Sequence, residues 1–301
     1  MSTNSTAPSV TPDRGRGAVA VLGAALLWGT TGTVSSFAPS GAPALAVGIT
    51  GLAVGGILLL LTTGSAVRVL LSRDRNRLAT TVTGAIAVLA YPASFYPAVA
   101  STGVAVATVV ALGSSPVFTG VFGRLLNGEH LTLRWSMATV SAIVGCAALV
   151  LGAGTDARLS PAGVGLALVA GGAYAAYTVL GARLVVSGAS ARGAVGSMFG
   201  AAALVALPLA ALMRPVWLGT VSGALVIAHL AVVTTFLAYL CYGYGLRSVP
   251  AAVVATLSLF EPAVATVLGV TVVGERLPLL SWCGLAVLAT GILALAVARR
   301  R

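Results

Sequence analysis

One carboxylate, Glu261, sits near the middle of an otherwise apolar run over residues 248–270. It is the only acidic residue inside such a run; Asp13, Asp74, Glu129, Asp156 and Glu275 all fall between runs or in the N-terminal tail. A charged side chain at the centre of a bilayer costs roughly 2.5–3.5 kcal/mol on insertion scales, and a low dielectric favours the neutral carboxyl. Two roles fit such a group. It exchanges a proton or binds an amine during a transport cycle, or it is a neutral carboxyl hydrogen-bonded to a neighbouring helix. His229 is the one histidine within a run. With a hairpin turn centred near Gly245, His229 lies 16 residues before it and Glu261 16 after. The two then share a depth, and a proton relay forms if their faces meet. The alternative is a packed, hydrogen-bonded core histidine. His229 shares a face with Val233, Phe236 and Leu240, while Thr235, Tyr239 and Tyr242 line another.

Aromatic and hydroxyl residues recur at helical spacing. Trp28, Thr31 and Ser35 share one face; Tyr174, Tyr177 and Thr178 share another; Tyr91 and Ser94, with Tyr96 close by, make a third. Ser258 lies three residues before Glu261. A tyrosine presents an apolar wall with one hydrogen-bonding handle, so the set is expected to line a cavity for small amphipathic metabolites. Taken singly, each residue also fits helix packing glued by hydroxyls. Pro92, Pro97, Pro116, Pro208 and Pro262 interrupt apolar runs and act as hinges or as static kinks. Pro116 and Pro262 are assigned structural roles, and Glu129 and Glu275 read as loop anchors.

Other chemistries lack their residues. The chain has no lysine, since all 17 basic residues are Arg; this excludes a P-loop and any lysine Schiff base. The aspartates show no D-x-x-x-D spacing, and Cys146, Cys241 and Cys283 make no C-x-x-C and read as small buried hydrophobes. No metal or cofactor is expected.

The residues above need a scaffold solvated by lipid. The chain has 301 residues, 58% hydrophobic and 8% charged, against about 45–50% and about 25% in soluble proteins. A spanning helix needs roughly 20 apolar residues, and ten such runs follow a polar tail (residues 1–17) expected to be disordered. The first run is about 21 residues, longer than the 7–15 of a signal peptide, and is read as a span. Of 17 arginines, Arg158, Arg214 and Arg276 fall on one side and the remaining fourteen on the other. The positive-inside rule then places both termini in the cytoplasm. The net charge of +11 is thereby a matter of orientation, with no nucleic-acid partner implied. Trp135, Trp217 and Trp282, near span starts, are expected at the membrane interface.

Shifting the chain by 146 residues lays Pro116 on Pro262 and Glu129 on Glu275 without a gap. Tyr96 falls on Tyr242, Gly128 on Gly274, Gly145 on Gly291 and Trp28 on Tyr174, while Ser115 meets Glu261. Each unit holds five spans, so the second enters the membrane inverted relative to the first. Inverted repeats are a recurring design of secondary transporters, with the substrate held near the midplane between halves. The expected fold is an all-α polytopic membrane protein of ten transmembrane helices in two inverted five-helix repeats, 18–153 and 161–298.

Ala25-Leu26-Leu27-Trp28-Gly29, Pro116-Val117-Phe118-(x10)-Glu129 and Leu259-Phe260-Glu261-Pro262-Ala263-Val264-(x10)-Glu275-Arg276-Leu277 resemble the EamA-type transporters of the drug/metabolite transporter superfamily. The resemblance spans residues 18–298 and implies export or exchange of small metabolites, such as amino acids, across the cell membrane. Glu129-His130 departs from the acidic–basic pair usual there, which Glu275-Arg276 keeps. The expectation is a secondary transporter, not an enzyme, whose partners are a small-molecule substrate and the bilayer, with proton coupling through Glu261 or His229. The alternatives are a lipid-linked transferase, for which metal-binding carboxylate pairs are missing, and a scaffold, for which the loops are short.

Overall fold

A computed structural model describes residues 14–152, 160–274 and 276–297; Glu275, Asp156 and Arg158 lie outside the described residues. Among the described residues, ten helices are long and apolar enough to cross a membrane. They are α1 (Arg14–Ser35), α2 (Ala44–Thr62), α3 (Arg75–Thr102), α4 (Val104–Asn127), α5 (Leu133–Gly152), α6 (Pro161–Val186), α7 (Ala191–Leu212), α8 (Val221–Ser248), α9 (Ala251–Val272) and α10 (Leu279–Ala296). The described residues contain no strand. Leu61, Leu125, Leu212 and Leu279 point outward, each more than 70% exposed, which is favourable only against lipid. The interior is built largely of Ala and Gly, which let backbones approach.

Polar residues set the helix ends. Asp74 accepts from Asn76 N at 2.9 Å to start α3, and Ser160, Ser190 and Thr220 cap α6, α7 and α8 in the same way. Gly128 ends α4 in the left-handed region (φ +66°), and its repeat mate Gly274 ends α9 there (φ +81°). Glu129 reaches further. Its two carboxylate oxygens accept from Ala251 N at 3.3 Å and Ala252 N at 3.5 Å, so the loop after α4 caps the start of α9.

The inverted repeat is visible in the packing. Helix α1 lies against α8 and α9 of the other half, and its mate α6 lies against α3 and α4; each half thus gives its first helix to the other. Helices α5 and α10 pack along each other. A Cβ on Gly145 would fall 2.2 Å from Leu288 N, and one on Gly291 would fall 2.9 Å from Ala142 N. The 146-residue shift turns one of these contacts into the other, placing a pseudo-two-fold axis at this crossing.

Several local expectations are corrected. The α8–α9 turn is at Val249-Pro250, not near Gly245. Val249 is extended (φ −127°, ψ 136°), as a residue before proline must be, and Pro250 stands at the head of α9. The first helix begins at Arg14, taking residues 14–17 from the tail. Trp135 is buried and donates to Ala252 O at 3.1 Å instead of facing the interface. All three cysteines are unpaired; Cys146 is buried, whereas Cys283 is exposed on α10.

Candidate functional site

A cavity of about 240 Å³ opens between the halves. Helices α1–α4 and α6–α9 all contribute to its wall, and α5 and α10 do not. Trp28 and Thr31 come from α1, Tyr91 and Tyr96 from α3, Tyr174 and Tyr177 from α6, Tyr239 from α8 and Glu261 from α9. The aromatic stripes read from the sequence thus converge on one space.

Their rings form a continuous cluster. Trp28 lies 5.0 Å from Tyr239 and 5.5 Å from Tyr242, ring centre to ring centre. Tyr239 in turn meets Phe199 at 3.9 Å, Tyr174 meets Tyr177 at 5.0 Å, and Tyr91 stacks on Phe95 at 5.6 Å. Hydrogen bonds lock the cluster from behind. Tyr174 donates to Ser258 Oγ at 2.8 Å, the hydroxyls of Tyr177 and Tyr239 pair at 3.2 Å, and those of Thr178 and Tyr242 pair at 2.5 Å. Residues 230–237 of α8 wind as a π-helix, which opens the backbone ladder. The Thr234 carbonyl there accepts the Trp28 indole N–H at 2.8 Å. By contrast, the hydroxyls of Thr31, Tyr91, Tyr96, Thr108 and Thr235 line the cavity and make no hydrogen bond to the described residues.

Glu261 is placed by a break in its helix. Regular α-helix stops at Ser258 and resumes at Phe260. Pro262 has no N–H, and its ring opposes the carbonyl four residues back, that of Ser258. Helix α1 presses against this bend. A Cβ on Gly29 would lie 2.5 Å from Val264 Cβ and 3.0 Å from Glu261 O, so only glycine fits beside Trp28. The half-buried Glu261 carboxylate faces the cavity and makes no hydrogen bond or ion pair with the described residues. Its repeat mate Ser115 is buried and bonds Leu112 O at 2.9 Å, so the charge belongs to one half alone.

Other sequence candidates fall elsewhere. His229 is half-buried and its Nε2 pairs with Thr30 Oγ1 at 2.8 Å; it is not part of the cavity wall. The turn at Val249-Pro250 leaves His229 20 residues before Val249 and Glu261 11 after Pro250, so the symmetric count about Gly245 does not hold; helix α1 still meets both, His229 at Thr30 and the Glu261 backbone at Gly29. Ser94, Thr178, Tyr242 and Ser258 are buried behind the wall, and Ser35 lies near the end of α1 outside it. Pro116 and Pro262 are buried within helices. Sequence reasoning missed Phe95, Thr108, Leu112 and Phe199, which look like any other member of an apolar helix.

Residues 15–151 and 161–297 each match the EamA-like transporter family. The chain belongs to this family. An uncharacterized transporter of Bacillus subtilis, YwfM, is 34% identical over 93% of this chain and 94% of its own length. An uncharacterized inner membrane transporter of Escherichia coli, YedA, is 27% identical over 60% of this chain and 58% of its own. A solved crystal structure superimposes with a TM-score of 0.76 over 92% of this chain and 95% of that one, at 21% identity, a likeness of fold. This EamA-family chain is thus a multi-pass transporter of the drug/metabolite type, and eight of its ten spanning helices wall the cavity described above.

Proposed function

We propose that this chain is a secondary transporter that exports or exchanges small amphipathic metabolites, amino acids or related compounds, across the cytoplasmic membrane by alternating access. The observation that carries the proposal is one cavity, walled by both inverted halves, that holds the single carboxylate of the apolar spans. The aromatic rings bind the apolar part of the substrate, and the unbonded hydroxyls and Glu261 meet its polar part. Rocking of one half against the other about the α5–α10 axis exposes the site to each side in turn. Glu261 is the proton-coupling residue, and both termini are cytoplasmic, the side favoured by the arginine bias.

Counterflow of radiolabelled amino acids and amines in proteoliposomes tests the transport reading, and its pH profile tests the coupling. Wild type and His229→Gln are expected to show pH-dependent transport, and Glu261→Gln a flat profile. A pH dependence that survives Glu261→Gln removes the coupling role.

A further inference from the structure

Charge in the cavity is one-sided. Among the described residues, Glu261 is the single charged residue on its wall, and no Arg or His lines it. Around it stand the rings of Trp28, Tyr91, Tyr174 and Tyr239. A cation entering this space is attracted by the carboxylate and by the aromatic rings together. A zwitterion brings a carboxylate of its own, which finds hydroxyls but no cationic side chain, and must desolvate next to Glu261. Buried charges persist only when paired.

We infer that the substrate class is an amphipathic organic cation, an amine or quaternary ammonium without a free carboxylate, whose nitrogen pairs with Glu261. The inference rests on the cavity being the transport site; of the metabolites proposed for it, it keeps the related compounds that carry an amine and sets aside amino acids with a free carboxylate. At about 240 Å³ the cavity falls below the roughly 300–1,000 Å³ of drug-sized sites, so the substrate is about the size of one ring with a short chain. The hydroxyls of Thr31, Tyr96 and Thr108 serve neutral polar substituents on it.

Three probes with one skeleton separate the charge classes: N,N,N-trimethyl-2-phenylethylammonium, phenylalanine and 3-phenylpropionate. Binding is measured by calorimetry on the purified full chain in detergent. The quaternary cation is expected to bind at least tenfold more tightly than either competitor. Glu261→Gln is expected to lose that preference, and Glu261→Asp to keep most of it, with thermal unfolding showing that both variants are folded. Equal or tighter binding of phenylalanine or phenylpropionate overturns the inference, as does an undiminished preference in Glu261→Gln or binding of none of the three. Counterflow of the same compounds judges transport separately. Movement of the zwitterion or anion but not the cation would leave the transporter standing and sink the cation assignment.

Discussion

Replacing Gly145 by alanine tests whether α5 and α10 form the fixed axis of the molecule. The new Cβ would sit 2.2 Å from Leu288 N, 2.7 Å from Leu288 Cα and 2.8 Å from Gly284 O. All three neighbours are backbone, so no rotamer change relieves the clash. Ordinary contact between such atoms is about 3.5–4.0 Å, so the two helices must separate by about 1.3 Å along a tightly packed seam. Overpacking of this kind costs about 1–3 kcal/mol, against the gain of up to about 1 kcal/mol that alanine brings over glycine inside a helix. Gly172→Ala is the control, because nothing lies within 4 Å of the added Cβ and only the helix gain applies. In thermal unfolding of the purified protein, Gly145→Ala is expected to melt several degrees below wild type and Gly172→Ala at or above it. Substrate binding by folded Gly145→Ala should be nearly unchanged, because neither α5 nor α10 lines the cavity. Equal melting of the two variants would refute the seam, and loss of binding without loss of stability would refute the division between axis and site.

Two further substitutions probe contacts that cross between the halves. Glu129→Ala removes the cap on α9; the bonds to Ala251 N and Ala252 N are long, at 3.3 and 3.5 Å, which places the loss near the lower end of the usual 0.5–2 kcal/mol, about 0.5–1 kcal/mol, and Glu129→Gln should recover part of it in the same melting assay. Trp28→Phe keeps a ring against Tyr239 but removes the indole N–H that holds Thr234 O, for a loss of about 0.5–1.5 kcal/mol, with the melting temperature again as readout.

Ten spans were legible because lipid demands long apolar runs, and the inverted pairing because Gly128/Gly274 and Gly145/Gly291 repeat for backbone reasons that hold in both halves. The cavity was legible in part. Trp28, Thr31, Tyr91, Tyr96, Tyr174, Tyr177 and Tyr239 reach it, since large aromatic or hydroxyl residues at helical spacing mark a face. Spacing does not say what covers that face, and so Tyr242 and Thr178, which share the stripes, lie one layer back, bonded to each other. His229 lies outside the cavity wall that holds Glu261, and the symmetric count that paired them does not hold, for a local reason. Pro250 fixes the turn several residues beyond Gly245, and the π-wound stretch after His229 breaks the 100° step from which faces were counted. Phe95, Leu112 and Phe199 carry no sequence signal, because one apolar residue among many becomes a cavity wall only through tertiary packing.

Blocking the cavity tests its role as the transport path most directly. Thr108 lines it with an unbonded hydroxyl, and the three native cysteines, all unpaired, can be replaced by alanine to leave Thr108→Cys as the single thiol. Transport through the cavity predicts that a charged methanethiosulfonate reagent abolishes counterflow in proteoliposomes carrying this variant, and that transported substrate slows the modification. Full counterflow after complete modification of the thiol would contradict it.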